Sequence, residues 1–391
     1  MFVTASSVFA PRVGAFGAPV SGARAKKRPA LVVASFREIP DKKKVTTPST
    51  RTRAVSSDRG GVPSLLPNLE DLAKPFVRAK ASLNEGIASF YDESSGLWEE
   101  QWGEHMHHGF YPNGCDRDDH ARAQVDMIDE ALKWAEVDGS KVRTMLDVGC
   151  GIGGSSRHIA RTFGCDAEGI TLSPVQAKRA NELSELSEFS QSRGAETTTF
   201  ESPQTRSPRD EKMTRDPRLT FRVADALAQP FPNDQFDLVW SMESGEHMPD
   251  KKKFIGELTR VCAPGGKIII ATWCHRDLLE GETGLPESEQ FLLDRICDAY
   301  YLPKWCSVSD YERIAKLDVE NLTDVKTADW SKEVTPFWRA VIGVALTKRG
   351  VLGLLKAGPA TVRGGLVMPL MQKGLRDGTI KFNLITATKR A

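Results

Sequence analysis

The sequence predicts an α/β protein built on a doubly wound, mostly parallel sheet, and three observations carry this. Short β-branched runs alternate with longer helical stretches from residue 143 onward. The run VRTMLD at 143–148 passes into a glycine turn that opens a helix. The chain ends on another strand-like run, TIKFNLITAT at 379–388.

The elements follow in order. From Leu69, apolar positions at Leu72, Phe76, Leu83, Ile87 and Phe90 recur at helical spacing, so 58–125 reads as a helical N-terminal cap. A core over 126–276 holds strand candidates at 143–148, 166–170, 219–224, 236–242 and 266–273. Helices are expected at 154–163, 174–190 and 250–263, the last ended by Ala263-Pro264-Gly265-Gly266. Residues 277–391 continue with a helix near 288–301, strands at 320–327 and 379–388, and between those strands a mostly helical insertion, 331–376. Residues 196–218 break the rhythm with ten charges and three prolines, and are expected to form a disordered surface insertion.

Composition narrows the class. The 391 residues are 40% hydrophobic and 27% charged, an ordinary globular balance for one large domain or two small ones. The uncharged stretch Ala340 to Thr347 is far short of the ~20 apolar residues a spanning helix needs. Seven cysteines include no CxxC pair, which argues against a disulfide framework or structural zinc and for a reducing compartment. Residues 1–57 carry eleven Lys/Arg against Glu38 and Asp41, a charge of +9 in a chain of net +1, so the remainder is −8. Such a basic, hydroxyl-rich N-terminus reads as an organelle transit peptide, with a plastid favoured because no amphipathic helix is evident. The alternative, a basic arm binding nucleic acid, lacks any surface in the acidic remainder to continue the phosphate contact.

The sharpest motif is Leu146-Asp147-Val148-Gly149-Cys150-Gly151-Ile152-Gly153-Gly154, strand into glycine turn into helix. Glycines at 149, 151 and 153 let backbone approach a ligand where a β-carbon would clash. Glycines 149, 151 and 154 also satisfy G-x-G-x-x-G, so a NAD-dependent oxidoreductase must be weighed. Two features disfavour it. The Asp147 carboxylate faces the ligand's polar end, attracting an ammonium and repelling a pyrophosphate. The second strand ends in Ile170-Thr171-Leu172-Ser173, without the acid that a dinucleotide ribose needs.

DVGCGIGG, followed by GITLSPVQ at 169–176 and Ala224-Asp225-Ala226, resembles the class I S-adenosylmethionine-dependent methyltransferases. That resemblance implies a Rossmann-like sheet of seven strands, the last antiparallel, with helical N-terminal and C-terminal caps. It implies cofactor contacts from Asp147 to Gly154, Val148 and Ile152 included, with Thr171, Leu172 and Gln176 near the ribose, Asp225 and Ala226 at the adenine, and Ser241 and Met242 after the fourth strand. Tyr91 is expected at the methionine end. FYDESSGLW at 90–98, WGEHMHHGFY at 102–111, WSMESGEHMPD at 240–250, TWCHRD at 272–277, CDAYYLP at 297–303, PFW at 336–338 and LVMPLM at 366–371 narrow the match. They are similar to plant and algal gamma-tocopherol methyltransferases, over roughly 85–391; plant alkaloid N-methyltransferases share much of the pattern.

The resemblance implies a chromanol acceptor with an isoprenoid tail, methylated on the ring carbon ortho to the phenol, or alternatively an indole alkaloid amine or another prenylated quinol. A phenol titrates near ~10, so carbon methylation at neutral pH needs a base or a nearby positive charge. The candidates follow the fourth strand: His247 first, Glu246 as its orienter or itself the base, and Glu243 third. His105, His107 and His108 lack a nearby Cys or Asp partner, so no metal is expected. Trp98, Trp102, His107, His108 and Trp338 are expected around the acceptor. Over 334–375, apolar residues mix with basic ones, which suits either contact with an anionic plastid membrane or an ordinary lid helix. A silent lipid-binding protein on this scaffold is a further alternative, against which the intact Asp147, glycines and Asp225 argue.

Overall fold

The computed structural model describes residues 80–115, 118–195 and 218–391. The expected transit segment, the cap before residue 80 and the expected insertion up to residue 217 lie outside them. Helix α1 (Lys80–Trp102) leads in, and α2 (His120–Trp134) follows. The expected boundary between cap and core at 125/126 falls inside α2. Asp119 caps this helix by accepting from Arg122 N at 2.9 Å, and Ala123, Met127, Ile128, Ala131 and Leu132 form one buried face. That face packs with Ile159 of α3 (Gly154–Phe163), so α2 belongs to the core.

Seven strands form one sheet: β1 (Thr144–Val148), β2 (Asp166–Thr171), β3 (Leu219–Val223), β4 (Phe236–Met242), β5 (Cys262–His275), β6 (Leu322–Asp329) and β7 (Ile380–Lys389). Their order is β3-β2-β1-β4-β5-β7-β6, with β7 antiparallel to both neighbours, as the sequence predicts for a class I methyltransferase sheet. Helix α4 (Pro174–Ala195) links β2 to the connection before β3, and α5 (Lys251–Val261) links β4 to β5. The reversal of strand order beside β1 leaves a crevice at the carboxyl ends of the strands, where such sheets bind ligands.

Successive residues serve opposite faces. Met145, Leu238, Trp240, Ile269 and Ala271 build one buried cluster, while Leu146, Val148, Val239, Ile268 and Ile270 build the other. The helix expected over 250–263 stops at Val261 because Cys262 already pairs with Phe236. Pro264, which has no N–H to donate, and Gly265, at φ +78°, fall in a register shift before Lys267 rejoins Leu238. Helix α6 (Glu287–Ala299) and the short α7 (Val308–Arg313) precede β6. The insertion between β6 and β7 folds as three helices, α8 (Ser331–Ala345), α9 (Lys348–Ala357) and α10 (Pro359–Asp377). Among the described residues no helix is long and apolar enough to cross a membrane.

Candidate active site

Two adjoining cavities occupy the carboxyl edge of the sheet. The first, of about 80 Å³, sits over the ends of β1, β2 and β4 and is closed by α1. Asp147, Gly149, Cys150, Gly151 and Gly154 line it, with Thr171, Leu172, Gln176, Ala226, Met242 and Tyr91. Val148, Ile152, Gly153, Asp225 and Ser241 do not. Val148 and Ile152 are buried. Ser241 bonds the Ser244 hydroxyl at 2.6 Å, and Asp225 Oδ1 accepts from Leu227 N at 2.8 Å while its neighbours Ala224 and Ala226 meet the cavity.

The glycines serve protein packing as much as ligand approach. Gly149 lies at φ +87°, and a β-carbon there would sit 2.3 Å from Ser244 Cβ. At Gly151, φ +54°, it would sit 2.9 Å from Met106 Cγ. This left-handed backbone is costly for any other residue.

Backbone donors decide what the turn can hold. Gly149 N and Cys150 N both donate to Ile170 O, at 2.9 and 3.0 Å, and so are committed to β2 rather than to a pyrophosphate. Asp147 is 2% exposed and accepts from Ser156 Oγ at 2.6 Å. Burial pushes its carboxyl up to about 7, against the pull of Ser156 and Arg157. A buried carboxylate short of positive charge suits a cationic ligand and repels an anionic one, which disfavours the dinucleotide alternative.

Helix α1 is tied across this cavity. Gln176 accepts from Thr171 Oγ1 at 2.8 Å and donates to Ser95 Oγ at 3.0 Å. Ser173 Oγ donates to Asp92, and Arg179 donates to Glu99 at 2.6 Å. Asp92 and Ser95 were not anticipated from the sequence, although both lie in the quoted FYDESSGLW segment.

The second cavity, of about 220 Å³, lies between α1 and the helices of the 331–376 insertion. Trp98, Trp102, Trp273, Trp338, Met368 and Met371 are among its walls. Trp102 packs on Phe337 with ring centroids 4.8 Å apart and planes tilted by 44°. The HMHHG segment divides between the two spaces: His107 lines only the first cavity, His108 only the second, and Met106 both. The placement of His107 beside the acceptor is thereby corrected: it turns to the opposite side from His108. His105 sits against Gly154. Among the described residues no three His, Cys, Asp or Glu side chains are placed to hold a metal ion.

Tyr91, Met106, Glu243 and His247 line both cavities and form their border. His247 is in a short 3-10 turn, Gly245–His247, after β4. Its Nε2 is 2.9 Å from Tyr91 OH. Burial, with the nearby Lys251 charge, pushes its imidazole down to about 3, which makes it a weak proton acceptor. Burial raises the Tyr91 phenol, and the charges of Glu246 and Glu243 add to this, so Tyr91 stays protonated. The expected Glu246–His247 pairing is replaced by Glu246 Oε2 accepting from Thr272 Oγ1 at 2.8 Å. Burial and the Glu243 charge push the Glu246 carboxyl up to about 8.

Glu243 has φ +50°, a strained conformation for a non-glycine residue. It accepts from His108 N at 2.6 Å, His108 Nδ1 at 2.7 Å and Trp273 Nε1 at 3.1 Å. Burial raises its carboxyl, but the charge and hydrogen bonds of His108 outweigh that, and the net shift is downward.

With this geometry in place, a methyltransferase domain profile matches residues 146–270. A chloroplastic tocopherol O-methyltransferase of Arabidopsis thaliana is 50% identical over 316 residues, 79% of this chain and 83% of that protein. A protein of Oryza sativa subsp. japonica named "Probable tocopherol O-methyltransferase, chloroplastic" is 53% identical over 312 residues, 78% of each chain. Among solved structures, a Galdieria sulphuraria protein described as a "putative sarcosine dimethylglycine methyltransferase" aligns with TM-score 0.60 at 20% identity, over 77% of this chain and 98% of that one, a likeness of fold. The chain belongs to the tocopherol O-methyltransferase family, on the class I methyltransferase fold.

Proposed function

We propose that this protein methylates gamma- and delta-tocopherol from S-adenosylmethionine on the chromanol ring carbon ortho to the phenol, giving alpha- and beta-tocopherol in vitamin E biosynthesis. The observation that carries this reading is the border shared by a small cavity at the strand ends and a larger aromatic one, at Tyr91, Met106, Glu243 and His247. When bound, S-adenosylmethionine supplies a methyl group on a positively charged sulfur. Asp147 would hold the amino-acid end, Thr171 and Gln176 the ribose, and the apolar stretch at Ile170, Ala226 and Met248 the adenine.

The chain's own residues then orient and dry the acceptor. The aromatic walls exclude water and present the ring face-on to the border. Glu246, mostly protonated at pH 7, offers a hydrogen-bond donor inside the second cavity. His247 fixes Tyr91, and through it α1, over the junction.

Plastid location follows from the basic segment 1–57 and the chloroplastic relatives. Contact with an anionic plastid membrane is supported by 334–375, which has six Lys/Arg and no acid, and by Leu346, Val351 and Leu352, exposed near the cavity walls Ala345 and Gly350. Flotation with anionic vesicles is expected for the full chain and lost for Leu346→Ser with Leu352→Ser; equal flotation of both would remove the membrane contact.

The reaction is tested by offering labelled S-adenosylmethionine with gamma-tocopherol or an indole amine in parallel. Label in the tocopherol alone is expected. Label in the amine alone would overturn the acceptor assignment.

A further inference from the structure

Methylation at carbon requires a group that takes the phenol proton, and the loop after β4 supplies only poor ones. His247 is a weak acceptor engaged with Tyr91. Glu246 is mostly protonated at neutral pH. A better arrangement lines the same cavity. His108 is 6% exposed, lines the second cavity, and turns Nδ1 to Glu243 Oε2 at 2.7 Å.

The hydrogen bonds of Glu243 settle the tautomer of His108. Glu243 accepts from His108 N, from Trp273 Nε1 and from the His108 ring, which is the pattern of an ionised carboxylate. An ionised carboxylate only accepts, so Nδ1 of His108 carries the hydrogen. In the neutral ring Nε2 is then the lone pair, and it is a buried atom without a protein partner. Trp273, Phe337 and Trp338 surround the ring with centroids 5.0 to 5.1 Å away. Such a site excludes water while the carboxylate behind stabilises an imidazolium.

We infer that His108, backed by Glu243, is the catalytic residue that takes the phenol proton. This rests on the methyl-transfer reading above and adds the residue that activates the acceptor. The phenol O–H bond gives its proton to His108 Nε2, and the pair left on oxygen enriches the ortho carbon. That carbon forms the new bond to the methyl as the donor's carbon–sulfur bond leaves its pair on sulfur. His108 returns the first proton to oxygen and then takes the ring carbon's own proton, restoring aromaticity; that proton passes to solvent once the product leaves.

His108→Asn is the discriminating variant, because its amide can keep a donor toward Glu243 while Nε2 is lost. In the full chain with gamma-tocopherol and S-adenosylmethionine, kcat is expected to fall by about 10²–10⁴-fold. Cofactor affinity should stay within threefold, since His108 lines only the second cavity. Turnover of the variant should climb about tenfold per pH unit toward the phenol's own pKa near ~10, and added imidazole should restore part of it. The wild-type profile should lack that climb. Around His108, the titratable groups are Glu243, Glu246 and His247 after β4, Tyr91 on α1, Tyr300 after α6, and His107 beside it. His247→Asn reports on the nearest of them and should cost less.

Turnover within threefold of wild type, or a loss with an unchanged pH profile, would overturn the assignment. If His108→Asn does not fold, His108→Gln is read by the same criteria. A wild-type chain that binds cofactor but leaves gamma-tocopherol unmethylated overturns the methyl-transfer reading itself, and this assignment with it.

Discussion

The cofactor cavity takes most of its wall from short runs at consecutive strand ends, between Asp147 and Met248, whereas the acceptor cavity gathers side chains from Phe90 to Met371. The first is fixed by backbone geometry and tied to the sheet; the second is aromatic and built from helices laid over that sheet. The difference separates two demands of a group-transfer enzyme. In the proposed reading the donor is held by geometry that tolerates little change, and the acceptor by a surface that determines which ring is admitted.

Changes on the two sides should therefore have different signatures. The largest effect is expected from Gly149→Ala, which combines φ +87° with a β-carbon 2.3 Å from Ser244. Left-handed strain and overpacking together predict about 2–5 kcal/mol of lost stability, measurable by urea denaturation. Asp147→Asn should leave the fold intact and weaken S-adenosylmethionine by roughly 10–100-fold in calorimetry, the scale of one hydrogen bond to a charged group. Because the Asp147 carboxyl is held at about 7 before a cation arrives, wild-type affinity should rise with pH through 7, and that of Asp147→Asn should not.

On the acceptor side, Leu354→Trp fills the second cavity away from the border. It should lower kcat/KM for gamma-tocopherol about tenfold, an effect of the order of 1.4 kcal/mol, with cofactor affinity unchanged. A matching loss of cofactor affinity would show that the two cavities are not independent. The border is read through its pH dependence. Glu246 has a folded-state carboxyl raised from 4.5 to about 8, so the folded protein binds more protons than the unfolded chain across that window. Stability of the free protein should fall as pH rises from about 4.5 through 8, and Glu246→Gln should flatten that part of the curve. Parallel curves for the two proteins would show that Glu246 is not desolvated.

The same contrast explains what could be read from the sequence. DVGCGIGG, ITLSPVQ and ADA place their residues by strand alternation and turn chemistry, which are local, so the strand order and most of the first cavity's wall were legible. The local signal was less reliable at Val148, Ile152, Gly153 and Asp225, which share those motifs yet do not line the cavity, and at Ser241 after β4. Helix α2 was overlooked because it precedes the first strand, despite its capped start and buried face. The acceptor side depends on tertiary placement: nothing local turns His107 to one cavity and His108 to the other. The binding of Glu243 to His108, across 135 residues, likewise lies beyond sequence spacing.

The central claim is that the border between the cavities delivers a methyl group to carbon. It is tested most directly by carbon NMR of the product formed by the full chain from gamma-tocopherol and 13C-methyl-labelled S-adenosylmethionine. An enriched methyl on the aromatic carbon ortho to a free phenol is the predicted result. An enriched methyl ether on the phenol oxygen would contradict the account.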